Sequence, residues 1–260
     1  MKIKAVILDW AGTTVDYGSR APSLAFRQVF ELEGVAITDA EARLPMGMSK
    51  RDHIAAITAL PRVANAWKEL FGREAAKEDI DRMYRRFAPI QKELLARHSD
   101  VIPGVVEVIR ECRQRGLKIG STTGYSRELM AVVAPLAAAQ GYSPDVIVCS
   151  DDVLEGRPSP HMNIRAAELL GVEPISDILV IDDTEIGCQA GKNSGCLTVG
   201  VAKTGNMLGK SLEEIAAEDP REIELALVDI EKPMRAAGAN YVIRSVADLP
   251  DLIREIEGDG

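Results

Sequence analysis

From about residue 100 onward the chain alternates between short apolar runs rich in β-branched residues and longer amphipathic segments. Short runs that are apolar throughout are typical of strands covered by helices on both faces of a parallel sheet. The runs LKIGST, DVIVCS, DILVIDD and LTVGV join the opening run KAVILDW in this pattern. We therefore expect an α/β fold built on a parallel, Rossmann-like sheet of about five strands.

The segments between and after these runs have helical periodicity and helix-start and helix-stop residues. A tail after the last of these strands holds one further strand-like run, NYVIRS. Helices are expected from Gly104 to Arg115, from Ser126 to Gln140, from Ser159 to Leu170, around Gly191, from 221 to 237 and from Val246 to Glu257.

Residues 20–99 have a different character, because helical patterns follow one another there with no convincing strand between them. The patterns are SLAFRQVFELEG, SKRDHIAAITAL and EDIDRMYRRFAPIQKELLARH. We expect a Rossmann-like catalytic core formed by residues 1–19 and 100–260, with residues 20–99 inserted as a helical cap domain. The insertion follows the first strand, near whose carboxyl end open α/β sheets bind ligands, so it is a candidate lid.

Composition limits the classes of function. The 260 residues are 46% hydrophobic, enough for a substantial core, and carry a net charge of −9, which disfavours nucleic acid and anionic membranes as partners. No apolar run approaches the roughly 20 residues of a spanning helix. Because the four cysteines are scattered and the apolar start is too short for a signal peptide, we expect a cytoplasmic protein.

Side chains suited to phosphoryl transfer stand at the ends of four predicted strands: Asp9, Thr123, Arg157 and the pair Asp182 and Asp183. Parallel strands bring their carboxyl ends to one edge, so these groups should converge. A carboxylate that attacks phosphorus needs Mg²⁺ and a fixed positive side chain to offset the phosphate charge. Asp9 and Asp183 would supply metal ligands, and Arg157 the positive charge.

Each of these residues also has an ordinary structural interpretation. Asp9 could cap the junction between a strand and the AGTT turn, Thr123 could close a turn, and Arg157 could be a surface arginine before a proline. In the functional interpretation, Thr123 and the backbone of Gly124 donate hydrogen bonds to the phosphoryl oxygens.

Taken in order, Asp9 with the following GTT, Thr123, Arg157 and Asp183 resemble the four motifs of the haloacid dehalogenase superfamily, and the helical insertion resembles its type 1 cap. Most phosphatases of that superfamily have a second aspartate two residues after the nucleophile, where it protonates the leaving alcohol. That position is Ala11 in this chain.

Three segments, DWAGTTVDYG, MGMSKRDH and IGSTTGY, closely resemble the phosphonoacetaldehyde hydrolases, or phosphonatases, of this superfamily. The resemblance implies hydrolysis of phosphonoacetaldehyde to acetaldehyde and phosphate in the breakdown of 2-aminoethylphosphonate. It implies Asp9 as the nucleophile, Lys50 as the lysine that forms an imine with the aldehyde, and Asp9, Asp183 and the Ala11 carbonyl as ligands of Mg²⁺. It further implies a homodimer formed through the caps.

An imine explains the alanine, because cleavage of a carbon–phosphorus bond leaves a carbanion that an iminium can stabilise and an acid beside an oxygen cannot. Ser49 is a plausible N-cap with Asp52 at the third helical position, which places Lys50 in the first turn of a helix. The positive helix end and enclosure should lower the pKa of Lys50. His53, on the same helical face, is a candidate proton shuttle.

Ordinary alternatives apply here as well: a solvated surface lysine at Lys50 and a histidine at His53 that only packs and hydrogen-bonds. Met46 resembles a family position that packs over the substrate, or is ordinary core, and Tyr125 either lines the same pocket or covers the second motif.

The fourth motif departs from its commonest form, in which a second aspartate follows four residues after the first; here that position is Gly187. Asp182 is then a candidate for a supporting role beside the metal. Two rival functions stay open: a phosphate-ester phosphatase or phosphomutase, against which Ala11 argues, and a non-catalytic phosphate-binding protein, for which Gly187 is the only hint.

Overall fold

The structure, a computed structural model, describes residues 2–258. Six parallel strands form one sheet in the order β3-β2-β1-β4-β5-β6, with helices packed on it. The strands are β1 (Ala5–Leu8), β2 (Lys118–Thr122), β3 (Val146–Val148), β4 (Ile178–Asp182), β5 (Leu197–Val201) and β6 (Tyr241–Ile243).

Five helices follow β1 along the chain within residues 20–99: α1 (Arg20–Leu32), α2 (Asp39–Arg43), α3 (Lys50–Thr58), α4 (Pro61–Phe71) and α5 (Lys77–Arg97). The remaining helices are α6 (Val105–Gln114), α7 (Arg127–Ala139), α8 (His161–Leu170), α9 (Glu185–Ser194), α10 (Leu212–Ala217), α11 (Pro220–Ala237) and α12 (Leu249–Glu257).

The predicted α/β class and parallel sheet are confirmed, and the sheet is one strand larger than expected. The strand-like run in the tail became β6, which pairs with β5 and so completes that edge of the sheet. The structure also adds α2, α4 and α10, three helices that the sequence patterns did not single out.

The register of the central strands places the candidate site residues at one edge. β1 lies between β2 and β4, and Leu8 is opposite Ser121 on one side and Ile181 on the other. All four residues of β1 are completely buried, so the strand is fixed by apolar packing on both faces. Asp9 and Asp182 consequently leave the sheet at the same level.

Residues 20–99, called the helical insert below, pack around a hydrophobic cluster of their own. Phe26, Phe30, Trp67 and Phe87 are its largest members, and each is at most 1% exposed. The predicted boundaries of a separate cap domain stay a prediction.

The two connections between insert and sheet run side by side. The Asp16 amide donates to the Asp100 carbonyl at 3.0 Å, and the Ile102 amide donates to the Thr14 carbonyl at 2.9 Å. Across residues 2–258 the helices are all too short or too polar to cross a membrane.

Candidate active site

Asp9 ends β1 and begins a tight turn at the carboxyl edge of the sheet. Its amide donates to the Ile181 carbonyl at 2.9 Å, and its carbonyl accepts from Thr14 Oγ1 at 2.9 Å, so its backbone is held on both sides. Gly12 in the turn has a φ of +85°, and a Cβ built there would lie 2.2 Å from Oδ2 of Asp183. Only glycine therefore lets this turn approach the second aspartate.

Arg157 joins two of the candidate carboxylates. Its Nη1 lies 2.7 Å from Oδ1 of Asp9 and 3.3 Å from Oδ2 of Asp182, and its Nη2 donates to Thr122 Oγ1 at 2.7 Å. The arginine is 7% exposed, so it is not the surface side chain of the alternative interpretation. Burial raises the pKa of Asp9 to about 7, and Arg157 opposes this shift.

Asp183 is fully buried and accepts hydrogen bonds on both oxygens. Oδ1 accepts from Thr13 Oγ1 at 3.2 Å, and Oδ2 accepts from the Asn206 amide at 2.7 Å. Burial, followed by the charges of Asp9 and Asp182, raises the pKa of Asp183 well above its ordinary value. The buried carboxylates of Asp9 and Asp183 both have raised pKa values, so a cation bound between them would be stabilised by their negative charge.

The donor set fits a hard cation. Two carboxylates and the backbone carbonyl of Ala11 are oxygen ligands of the type Mg²⁺ prefers, and Mg²⁺ fills its remaining positions with water. Within residues 2–258 no group of three or more His, Cys, Asp or Glu side chains is arranged to hold a metal ion. The Ala11 carbonyl and water would complete the ligand set of a cation held by Asp9 and Asp183.

Lys50 begins α3 and its side chain enters the same cavity. Ser49 precedes the helix as its N-cap and accepts from the Asp52 amide, as predicted. The Lys50 amine lies 5.2 Å from the ring centroid of Tyr125, and the residue is 8% exposed. Burial lowers the pKa of Lys50 to about 8. The charge of Asp9 opposes this shift, and the charge of Arg157 contributes to it. At pH 7 about one lysine in ten would then be a free amine.

His53 lies behind Lys50 and does not line the cavity. Its ring stacks on Phe26 with centroids 3.7 Å apart, and its Nε2 is 2.8 Å from the Ala42 carbonyl, to which it donates. Nδ1 is buried with no partner among the described residues. Burial, then the charge of Lys50, holds the pKa of His53 well below its ordinary value, so the ring is neutral.

The second motif forms the wall opposite β4. The Thr123 amide donates to the Val148 carbonyl at 3.0 Å, and its hydroxyl accepts from the Tyr125 amide at 3.1 Å. A Cβ built on Gly124 would lie 3.4 Å from the Met48 carbonyl, so this motif contacts the helical insert directly. The buried Tyr125 hydroxyl has no partner among residues 2–258.

These elements line one small cavity of about 30 Å³. The reactive groups therefore lie close together, with little free space between them. Ser19, Pro22, Gly47 and Thr184 also line it. The predicted site residues along its wall are Asp9, Ala11, Met46, Lys50, Thr123, Gly124, Tyr125, Arg157 and Asp183. The structure thus brings together every predicted site residue except His53, which packs on Phe26 and is not part of the lining.

The sequence did not single out Thr13, Thr184 or Asn206 as site residues. Thr13 and Asn206 hold Asp183, while Thr184 donates to Asp182 Oδ1 at 2.8 Å. Thr184 follows Asp183 directly in sequence and Thr13 stands two residues after Ala11, which is a usable signal. The signal for Asn206 was weaker: it follows a glycine shortly after the end of β5.

Asp182 explains why the fourth motif has glycine at Gly187. A Cβ built on Gly187 would lie 1.9–2.1 Å from the carboxyl atoms of Asp182. The carboxyl group of Asp182 therefore occupies the space of the side chain that the commonest motif carries at that position.

A family model of haloacid dehalogenase-like hydrolases matches residues 3–195. The chain belongs to this family of hydrolases. A phosphonoacetaldehyde hydrolase of Paraburkholderia phytofirmans is 50% identical over 255 residues, covering 98% of this chain and 96% of the relative. One from Bacillus cereus is 46% identical over 257 residues, covering 99% and 97%.

A crystal structure of a phosphonoacetaldehyde hydrolase-like protein from Oleispira antarctica superposes with a TM-score of 0.97. It is 41% identical, and the match covers 99% of this chain and 94% of that one. Within the haloacid dehalogenase-like hydrolases, the chain is a member of the phosphonoacetaldehyde hydrolases.

Proposed function

We propose that this protein hydrolyses the carbon–phosphorus bond of phosphonoacetaldehyde, giving acetaldehyde and phosphate, as a step in 2-aminoethylphosphonate breakdown. The observation that carries the proposal is that Lys50 and Asp9 line one cavity, together with Ala11, two residues after the nucleophile. The Lys50 amine can form an imine with an aldehyde substrate. The general acid that protonates a leaving oxygen is absent at Ala11, which fits a leaving group that is carbon.

The first step prepares the aldehyde. The Lys50 amine adds to the carbonyl carbon and water leaves, giving an iminium. The lowered pKa of Lys50 supplies free amine for this addition. One proton shifts from the nitrogen to the carbinolamine oxygen and a second comes from solvent, so the oxygen leaves as water.

The second step breaks the bond. A carboxylate oxygen of Asp9 attacks phosphorus, and the electron pair of the carbon–phosphorus bond moves toward the iminium, giving an enamine and an aspartyl phosphate. Arg157, with Thr123 and the Gly124 amide, stabilises the phosphoryl oxygens. When bound by Asp9, Asp183 and the Ala11 carbonyl, Mg²⁺ would screen the phosphoryl charge from the attacking carboxylate.

The last step restores the enzyme. Protonation of the enamine carbon returns the iminium, and water then releases acetaldehyde and the Lys50 amine. A second water hydrolyses the aspartyl phosphate and frees Asp9. The helical insert contributes Met46, Gly47 and Lys50 to the cavity wall, so in this proposal it acts as a cap that opens for substrate entry and closes over the bound substrate.

Two further properties belong to the proposal. Four free, buried cysteines fit a reducing cytoplasm. A homodimer is expected from family resemblance alone, and sedimentation equilibrium tests it directly.

The proposal is tested with phosphonoacetaldehyde and p-nitrophenyl phosphate, each with added Mg²⁺. We expect phosphate and acetaldehyde from the first substrate and little reaction with the second. Borohydride added with phosphonoacetaldehyde should inactivate the protein and add mass to the peptide that contains Lys50. Lys50→Arg should abolish turnover and labelling, whereas Lys118→Arg, at the far end of β2, should change neither.

The rival functions give different results. Preference for the ester would identify a phosphatase, and phosphate binding without turnover of either substrate would identify a non-catalytic binding protein. Labelling of another lysine would overturn the assignment of Lys50.

A further inference from the structure

Arg43, the last residue of α2, connects the helical insert to the core by its guanidinium group. Nη1 donates to the Gly18 carbonyl at 2.7 Å, to the Ser19 carbonyl at 3.2 Å and to Asn206 Oδ1 at 3.3 Å. Nη2 donates to the Gly209 carbonyl at 3.2 Å. The side chain is 12% exposed, so these bonds lie in a largely dry interface.

The loop that receives Arg43, residues 203–210, also holds the proposed metal ligand. The amide of Asn206 donates to Oδ2 of Asp183 at 2.7 Å. Two residues earlier, the Thr204 hydroxyl donates to the Gly12 carbonyl at 2.7 Å, in the turn that follows the proposed nucleophile. The loop therefore bonds directly to one proposed metal ligand and to the turn that follows the other.

On its other side, Arg43 stands directly before the segment that carries the imine-forming lysine. Its carbonyl accepts from the Met46 amide at 2.9 Å and from Asn206 Nδ2 at 3.4 Å. α3 begins seven residues after Arg43, at Lys50. Arg43 thus contacts the backbone at residues 18–19, the loop that bonds to Asp183, and the segment leading to Lys50.

The Arg43 side chain fits against the loop because residue 209 is a glycine. Gly209 has a φ of +67°, and a Cβ built there would lie 2.8 Å from Arg43 Nε. Asp39, one turn earlier on α2, lies 2.5 Å from the same Nε. The planar fork of arginine satisfies several acceptors at fixed angles at once, which a lysine ammonium does not.

We propose that Arg43 is a positioning residue for the hydrolysis: it fixes the helical insert on the core so that Lys50 and the metal-binding carboxylate Asp183 are placed together. This proposal rests on the proposed function above. Arg43 does not line the cavity and acts through Asn206 and the segment before α3.

The test compares Arg43→Met and Asn206→Ala, singly and combined, with the parent protein. For Arg43→Met we expect kcat for phosphonoacetaldehyde to fall on the order of 100-fold with a smaller change in KM, because Arg43 does not touch the substrate. Binding of Mn²⁺, followed by the EPR signal of the free ion, should weaken about tenfold without any substrate present. Hydrogen exchange in residues 203–210 should accelerate.

Asn206→Ala keeps the amide that contacts Asp183 but loses the side-chain bond to Arg43. It should change Mn²⁺ binding in the same direction, and the double variant should be no worse than the more severe single one. The matched control is Arg62→Met, since Arg62 pairs with Glu41 inside the helical insert and its side chain is 53% exposed. It should leave kcat, the affinity for Mn²⁺ and hydrogen exchange in residues 203–210 within about twofold of the parent.

Arg43→Lys keeps the charge and serves if the methionine variant does not fold; it should weaken Mn²⁺ binding without lowering the melting temperature to the same degree. Parent-like Mn²⁺ binding and kcat in Arg43→Lys or Arg43→Met would overturn the proposal, as would strictly additive effects with Asn206→Ala. If the parent does not cleave phosphonoacetaldehyde but Mn²⁺ binding still responds, the proposed function fails and the positioning role stands.

Discussion

At the scale of single residues, the close approach of Asp182 to Gly187 predicts that a side chain at position 187 destabilises the protein. Gly187→Asp would force its Cβ into the carboxyl group of Asp182, at 1.9–2.1 Å. We expect a loss of about 1–3 kcal/mol in the free energy of unfolding, as for other overpacked sites, and loss of most activity. Urea denaturation and phosphate release measure these effects.

The combination Asp182→Ala with Gly187→Asp removes the clash and should recover most of the stability. Gly156→Asp is the matched control for stability, because nothing lies within 4 Å of a Cβ built there. Parent-like stability of Gly187→Asp alone would show that the backbone of α9 shifts to make room.

Ala11 decides which atom leaves phosphorus. Ala11→Asp would add a carboxylate next to Asp9 in the cavity that Lys50 enters, favouring the protonated amine and crowding the substrate. Turnover of phosphonoacetaldehyde should fall at least tenfold, and weak hydrolysis of p-nitrophenyl phosphate should appear, since an acid there typically contributes about 10²–10⁴ to ester cleavage. Faster cleavage of the phosphonate would contradict the proposed division of labour with Lys50.

At the scale of elements, α3 delivers Lys50 and depends on its N-cap. The Ser49 hydroxyl accepts from the Asp52 amide and donates to Oδ2 of Asp52 at 2.6 Å. Ser49→Ala should cost about 1 kcal/mol of stability and slow borohydride trapping at Lys50 several-fold, because the first turn of α3 frays.

Asp219→Ala is the matched control, since Asp219 caps α11 through the Arg221 amide at 2.9 Å, away from the cavity. It should cost similar stability without changing the trapping rate. Equal trapping in both variants would mean that packing alone holds the start of α3.

At the scale of the whole molecule, Asp16 lies in one of the two connections between the helical insert and the sheet. It is 4% exposed, and burial raises its pKa to about 7, although its Oδ2 accepts from the Ala21 amide at 2.9 Å. His98 Nδ1 lies 3.9 Å from Oδ1, but burial lowers the pKa of His98, and the charges of Arg43 and Arg20 oppose the shift of Asp16 without cancelling it. The connection therefore contains a buried carboxyl that favours its neutral form.

The folded protein then holds this proton more tightly than the unfolded chain, whose ordinary pKa is 3.8. Stability contributed by Asp16 is present below about pH 4 and is lost as the pH rises to about 7. Asn tolerates the positive φ of 56° at this position and keeps the acceptor oxygen.

Asp16→Asn should therefore be more stable than the parent by about 1–3 kcal/mol above pH 7 and equal to it near pH 4. Urea unfolding at pH 4.5, 6 and 8 measures the difference. Asp100→Asn, at the exposed neighbour on the other connection, should show no such trend. A difference that does not change with pH would show that Asp16 stays ionised throughout.

The amino-acid sequence by itself determined the fold class and most of the site. Buried apolar runs predicted the strands, and parallel strands must end at one edge, so Asp9, Thr123 and Asp183 were bound to meet there. Ala11 and Lys50 could be recognised because their chemistry is complementary and each stands in a local motif. These inferences needed only short segments and one topological rule.

Only the tertiary structure decided how that site is held. Asn206 reaches Arg43 across 163 residues of chain and Asp183 across 23, and the carboxyl of Asp182 takes the space beside Gly187. His53 points away from the cavity because its ring packs on Phe26 and bonds to a carbonyl of α2. Contacts of this kind depend on how separate elements pack against each other, and no local pattern of residues encodes them.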